Sequence, residues 1–133
     1  MRKRNLLDSF AVLAFLKKES NYQAVLTLLN EAKEGRRHLL MNQINAGEVY
    51  YQVLKKGLAH DMDKFWRTFL MLPIEFVAND FDLVLEAARI KAQHAISFAD
   101  CFAVATAIRE KASIVTGDPE FKQVQKIVTI DWM

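Results

Sequence analysis

Cysteine is nearly missing: Cys101 is the only one in 133 residues. That excludes a disulfide framework and a cysteine-ligated zinc site, and it makes a reducing cytoplasm the expected compartment. Glycine and proline are scarce, at 4 and 2 residues, and there is no Ser-, Gln- or Pro-rich tract and no internal repeat. No linker or low-complexity segment is therefore expected, and residues 1–133 read as one compact domain. Charge of one sign is not in excess either. A formal net charge of +2 is too small to announce nucleic acid by itself, although positive residues clump at Arg2-Lys3-Arg4, Lys17-Lys18, Arg36-Arg37 and Lys55-Lys56. Solvated helix ends account for such clumps equally well. Finally, no apolar run reaches the ~20 residues a membrane span needs, and the basic N-terminus followed by Leu6 to Leu16 has no small-residue cleavage site. Neither a signal peptide nor a membrane partner is expected.

What is present is apolar residues, 52% of the chain, enough for a substantial core. Leu6-Leu7 reads as a short strand and Ser9 to Lys18 as a helix. In Asn21 to Glu34, Ala24, Val25, Leu28, Leu29 and Ala32 recur at three- and four-residue spacing, a helical face, and Gly35 ends it. His38 to Asn42 reads as a strand, Asn45 to Lys56 as a helix ended by Gly57, and Asp61 to Met71 as a helix that Pro73 stops before the strand Ile74 to Val77. Helices are expected over Asp80 to Gln93 and Ser97 to Lys111, then strands over Ser113 to Thr116 and Ile127 to Ile130. Parallel strands need crossovers, so this alternation predicts an α/β fold with a central, mostly parallel sheet of about four to five strands and helices on both faces.

In open sheets of this kind ligands collect beyond the carboxyl ends of the strands. Four acids fall at such places: Asp8 after the first strand, Glu48 near the start of the helix after Asn45, Asp100 at the start of the helix after Ser97, and Asp118 after SIVT. Each can be a helix cap. Asp8 or Ser9 suits an N-cap, Asn45-x-x-Glu48 and Ser97-x-x-Asp100 have capping-box spacing, and Asp118-Pro119 reads as N-cap then N1.

Capping leaves something out. Ser97 to Ile108 is apolar nearly all round with Asp100 its only charge, and Asp8 is the only charge between Arg4 and Lys17. If the strands LL and SIVT are neighbours, Asp8, Asp100 and Asp118 converge. Two carboxylates ~4 Å apart repel by about 4 kcal/mol at an effective dielectric of 20, a conflict that a divalent cation removes. An all-oxygen set favours Mg²⁺ or Mn²⁺, whereas zinc would want His or Cys, and His38, His60 and His94 show no ligand spacing. Ser9 and Thr116 could add hydroxyl contacts, or simply satisfy backbone groups.

On LLDSFAVLAFL, INAGEVYY, SFADCFAVATA and IVTGDPEF, in that order, the chain resembles a PIN-domain ribonuclease, specifically the VapC-type toxins of toxin–antitoxin pairs, over nearly its whole length. The resemblance implies a three-layer α/β/α PIN-like domain and Mg²⁺- or Mn²⁺-dependent endonucleolytic cleavage of RNA. It further implies a homodimer and a cognate antitoxin whose C-terminal segment fills the groove. Carried over position by position, Asp8, Glu48, Asp100 and Asp118 match the family's catalytic, metal-binding acids, Ser9 and Thr116 its small hydroxyl positions, and Glu120 the place of an occasional additional acid. The basic clumps could then track phosphates.

Two other readings compete with a nuclease. A catalytically inert PIN-like module would bind metal and a protein partner and cut nothing. A phosphatase or phosphoacceptor also places Asp after a strand, but Ser9 and Phe10 follow Asp8 where an Asp-x-Asp pair would be wanted. Among the apolar groups, Phe65, Trp66 and Phe69 with Tyr50, Tyr51 and Trp132 are expected to lie in the core rather than at an interface. Cys101 should be a small buried hydrophobe.

Overall fold

The computed structural model describes residues 2–133, so Met1 of the expected 1–133 domain lies outside the described residues. Strand β1 (Lys3–Leu7) leads through α1 (Ser9–Leu16) and α2 (Tyr22–Lys33) to β2 (Arg37–Asn42). Then come α3 (Gln43–Lys56), α4 (Met62–Leu70), β3 (Glu75–Val77), α5 (Phe81–Gln93), α6 (Phe98–Glu110) and β4 (Ser113–Thr116). A 3₁₀ turn over Pro119–Val124 precedes β5 (Ile130–Trp132).

All strands run parallel, in the order β3-β2-β1-β4-β5. The order reverses at β1, so the carboxyl ends of β1 and β4 flank the switch point, where helices leave in opposite directions and a crevice must open. LL and SIVT are thus neighbours, with Leu6 against Ile114 and Leu7 against Val115.

Alternation along the strands divides the core in two. Leu6, Leu40 and Ile114 pack under α5 and α6, with Phe121, Val124 and Val128 beside them. Leu7, Leu39, Met41 and Val115 pack under α1, α2, α3 and α4. The result is three layers, α/β/α. Helix α6 is buried from Asp100 through Ala107, as its apolar composition requires.

Three local expectations are corrected. β1 begins at Lys3, because Lys3 to Leu6 pair with Arg37 to Leu40. The last strand is Ile130–Trp132 and not Ile127 to Ile130; the 3₁₀ turn sinks Val124 into the core, the chain turns again, and Ile130 is the residue that reaches Ile114. Helix α3 starts at Gln43 with Asn42 as its N-cap, whose Oδ1 accepts from Ile44 N at 2.7 Å, so Asn45 is no cap and Glu48 sits in the second turn.

The aromatic group is split. Phe69 is buried, and Trp66 lies between it and Tyr50 at centroid distances of 5.2 and 5.0 Å, while Tyr51 and Trp132 are exposed. Among the described residues, no helix is long and apolar enough to cross a membrane.

Candidate metal centre

Asp8 is the first residue beyond β1, and its carboxylate is used at both oxygens. Oδ1 accepts from Ala11 N at 2.8 Å, capping α1, and Oδ2 accepts from the Thr116 hydroxyl at 2.5 Å. The cap reading of Asp8 is therefore correct and incomplete. Thr116 ends β4, and its Oγ1 in turn accepts from Asp118 N at 3.0 Å. Asp118 Oδ1 then accepts from Glu120 N at 2.9 Å, with Pro119 at the first position of the 3₁₀ turn. One chain of hydrogen bonds so links Asp8 on β1 to Glu120 beyond β4.

From the other side comes α6. Ser97 caps it, its Oγ accepting from Asp100 N at 3.1 Å, which faces the Asp100 carboxylate toward Asp118. Single carboxylate oxygens of Asp100, Asp118 and Glu120 all lie within 4.8 Å of one another. The tight group thus contains Glu120, and neither Asp8 nor Glu48 completes it. Asp8 adjoins it through Thr116. Glu48, half-buried on α3, is held by Asn45, whose Nδ2 donates to Glu48 Oε1 at 3.0 Å and to Ala99 O on α6 at 3.2 Å. Ser9, the first residue of α1, is half-buried.

The electrostatics follow from burial without compensation. Asp8, 1% exposed, has its pKa pushed up to about 7, chiefly because burial penalises the anion. The bonds from Thr116 and Ala11 oppose that rise, and the charges of Asp100 and Asp118 add to it. Asp100 is pushed up to about 6, again by burial first, with Ser97 opposing and the charges of Glu48, Asp118 and Glu120 adding. Among the described residues, no ion pair involves Asp8, Glu48, Asp100, Asp118 or Glu120. Elsewhere acids are paired, as Asp80 is with Arg109 at 2.9 Å.

Such a donor set fits a hard divalent cation, which Asp100, Asp118 and Glu120 would hold and whose charge would offset the mutual repulsion of three carboxylates brought this close. A second sign is the amide of Asn45: its Oδ1 is the only buried side-chain polar atom without a hydrogen bond among the described residues. Among the described residues no His or Cys joins this cluster: His38 Nδ1 sits 2.8 Å from Arg4 Nη1, its Nε2 sits 3.0 Å from Glu75, and Cys101 is buried.

Glu120 is the residue the sequence flagged least. It is named there only through the family resemblance; the signal that could have found it is the pair Asp118-Pro119, which starts a 3₁₀ turn that keeps Glu120 beside Asp118.

The model of the PIN domain family matches residues 6–127. The chain is similar to solved structures of VapBC2 from Rickettsia felis bound to a promoter DNA fragment (20% identity, TM-score 0.71, covering 97% of this chain and 98% of that one). It is similar also to DNA-bound VapBC from Salmonella typhimurium (16%, TM-score 0.74, 99% and 98%) and to FitAcB from Neisseria gonorrhoeae (16%, TM-score 0.69, 96% and 96%). No curated protein matches the sequence.

Proposed function

On the premise that the chain belongs to the PIN-domain family, we propose that it is a Mg²⁺- or Mn²⁺-dependent endoribonuclease and the toxin of a toxin–antitoxin pair. The observation that carries this reading is the convergence of Asp100, Asp118 and Glu120 within 4.8 Å, beside buried Asp8, at the switch point of a parallel sheet. In this reading the metal-binding and catalytic acids are Asp8, Glu48, Asp100 and Asp118, with Glu120 joining them.

When bound there, the cation supplies Lewis acidity toward a phosphodiester and lowers the pKa of water near it. The chain does the rest. Thr116 holds one oxygen of Asp8 and, through Asp118 N, the loop that carries Asp118, so one hydroxyl ties together the acids that follow β1 and β4. Asp100 and Asp8 stay partly protonated near neutral pH until positive charge arrives, which couples cation loading to proton release. The acids concentrate negative charge, so an RNA strand needs cations to approach. Of the clumps Arg2 to Arg4, Lys17-Lys18 and Lys55-Lys56, Arg4 and Lys17 pair with Glu110 and Glu19, which leaves Arg2, Lys3, Lys18 and Lys55-Lys56 as the cations to test for phosphate contacts.

A cognate antitoxin, a homodimer and a reducing cytoplasm belong to the same reading. The antitoxin is supported by the likeness to solved structures described as a toxin–antitoxin complex and as a member of the VapBC family of toxin–antitoxin systems, and the compartment by the lone buried Cys101; the homodimer follows from the family resemblance alone. The test is cleavage of a labelled RNA by purified protein with Mn²⁺. Wild type should cut and Asp100→Asn should not. Mn²⁺ binding by wild type with every RNA left whole would instead favour the inert module.

A further inference from the structure

We infer that Asn45 is a positioning residue that holds Glu48 against the start of α6 for cation binding. This rests on the metal-centre reading above.

Asn45 is 0% exposed and lies three residues before Glu48, on the same side of α3. Both groups facing its Nδ2, Glu48 Oε1 and Ala99 O, can only accept hydrogen bonds, so the amide orientation is unambiguous. The Ala99 carbonyl already belongs to the first turn of α6, where Ala103 N is its helical partner, so backbone satisfaction does not require Asn45. What the contact adds is position. One amide spans from the residue before Asp100 to the carboxylate of Glu48, whose charge is among those that raise the proton affinity of Asp100. Glu48 thus stands beside a like-charged group, and without Asn45 its flexible side chain would swing away into solvent.

A comparison three residues upstream shows what an ordinary buried asparagine does here. Asn42, equally inaccessible, uses both ends of its amide: Nδ2 donates to Asn79 Oδ1 and Thr106 Oγ1, and Oδ1 accepts from Ile44 N and Asn79 Nδ2. Asn45 leaves Oδ1 without a protein donor. A purely structural position would be better served by an apolar side chain, because a buried polar atom with no partner costs stability. What offsets that cost at Asn45 is the two bonds of Nδ2.

The experiment is a double-mutant cycle on Mn²⁺ affinity, read by titration calorimetry on the full chain: wild type, Asn45→Ala, Glu48→Ala and the double variant. Removing an outer partner of a metal ligand costs 10- to 100-fold in affinity, so Asn45→Ala should bind about 10-fold more weakly or worse. In the Glu48→Ala background the same change should cost nothing further, because its object is gone. Asn45→Ala binding as tightly as wild type would overturn the inference. So would a full additive loss in the double variant, which would mean that Asn45 acts through general packing. If circular dichroism shows Asn45→Ala unfolded, Asn45→Leu, which fills the same space without a donor, replaces it in the same cycle. Failure of wild type to bind Mn²⁺ overturns the metal reading and this inference with it. Binding and coupling without RNA cleavage overturn the nuclease alone.

Discussion

The two ends of the sheet handle charge in opposite ways. At the amino end charged groups find complementary partners: Arg4 meets Glu110, and the His38 ring lies between Arg4 and Glu75. Arg37, mostly buried, meets Glu31 at 2.6 Å and also donates to Asn5, which donates to Asp131. At the carboxyl end Asp8, Asp100, Asp118 and Glu120 stand together with hydroxyl and backbone donors and no cationic side chain. The amino end is built to close on itself. The carboxyl end gathers like charges that no side chain among the described residues neutralises, the arrangement that the proposed cation would complete.

The sharpest way to break this contrast is to remove an acid. Asp100→Asn should reduce Mn²⁺-dependent RNA cleavage to background. It should also raise metal-free stability at pH 8 by about 1–2 kcal/mol, the shift of its pKa from 3.8 to about 6 discounted for the part of the carboxylate that solvent screens. Urea denaturation checks the second outcome. A loss of stability would place Asp100 with the paired acids.

The same contrast predicts opposite pH dependence. Asp8 and Asp100 have folded pKa values of about 7 and about 6, above the unfolded 3.8, so the folded state holds more protons between those limits. Their contribution is fully present below about pH 4 and is lost as pH rises through 6 and 7, so the metal-free protein should melt at a lower temperature at pH 8 than at pH 5.5. Mn²⁺ should cancel most of that fall by neutralising the anions. Asp80, lowered to about 2 by its bond to Arg109, has the reverse sign: its contribution is present above pH 4 and lost as pH falls toward 2. Melting curves against pH with and without Mn²⁺ test both.

At the amino end Arg37→Ala should cost about 1–3 kcal/mol by leaving Glu31 and Asn5 without their donor, and should leave Mn²⁺ affinity unchanged. A drop in affinity would show the two ends coupled. The smallest expected effect is at Gly117, where an added Cβ would come within 2.6 Å of the Phe10 ring. Gly117→Ala should cost about 1 kcal/mol, partly relieved because Phe10 is 37% exposed and can yield, and Phe10→Leu should cancel most of that cost.

Much of this was readable along the chain. A helix apolar on every side, with one acid in its first turn, must be buried and must bring that acid inside, which is why α6 and Asp100 were evident. Asp8, alone in its apolar run, was evident for the same reason. Asn45 was not, because its spacing to Glu48 imitates a capping box and only the true cap, Asn42, exposes the imitation. The expected strand Ile127 to Ile130 falls short of β5 because Ile127 and Val128, on the turn that precedes it, look like strand residues when read locally.

Local pattern by itself decided the layers, the succession of strands and helices, and the isolation of Asp8 and Asp100, since periodicity and solitary charges are properties of neighbours along the chain. Tertiary structure alone decided which oxygens meet. Thr116 closes on Asp8 and Asn45 reaches Ala99 only after parallel strands and crossing helices are docked, and electrostatic interaction depends on distance in space, which no sequence interval measures.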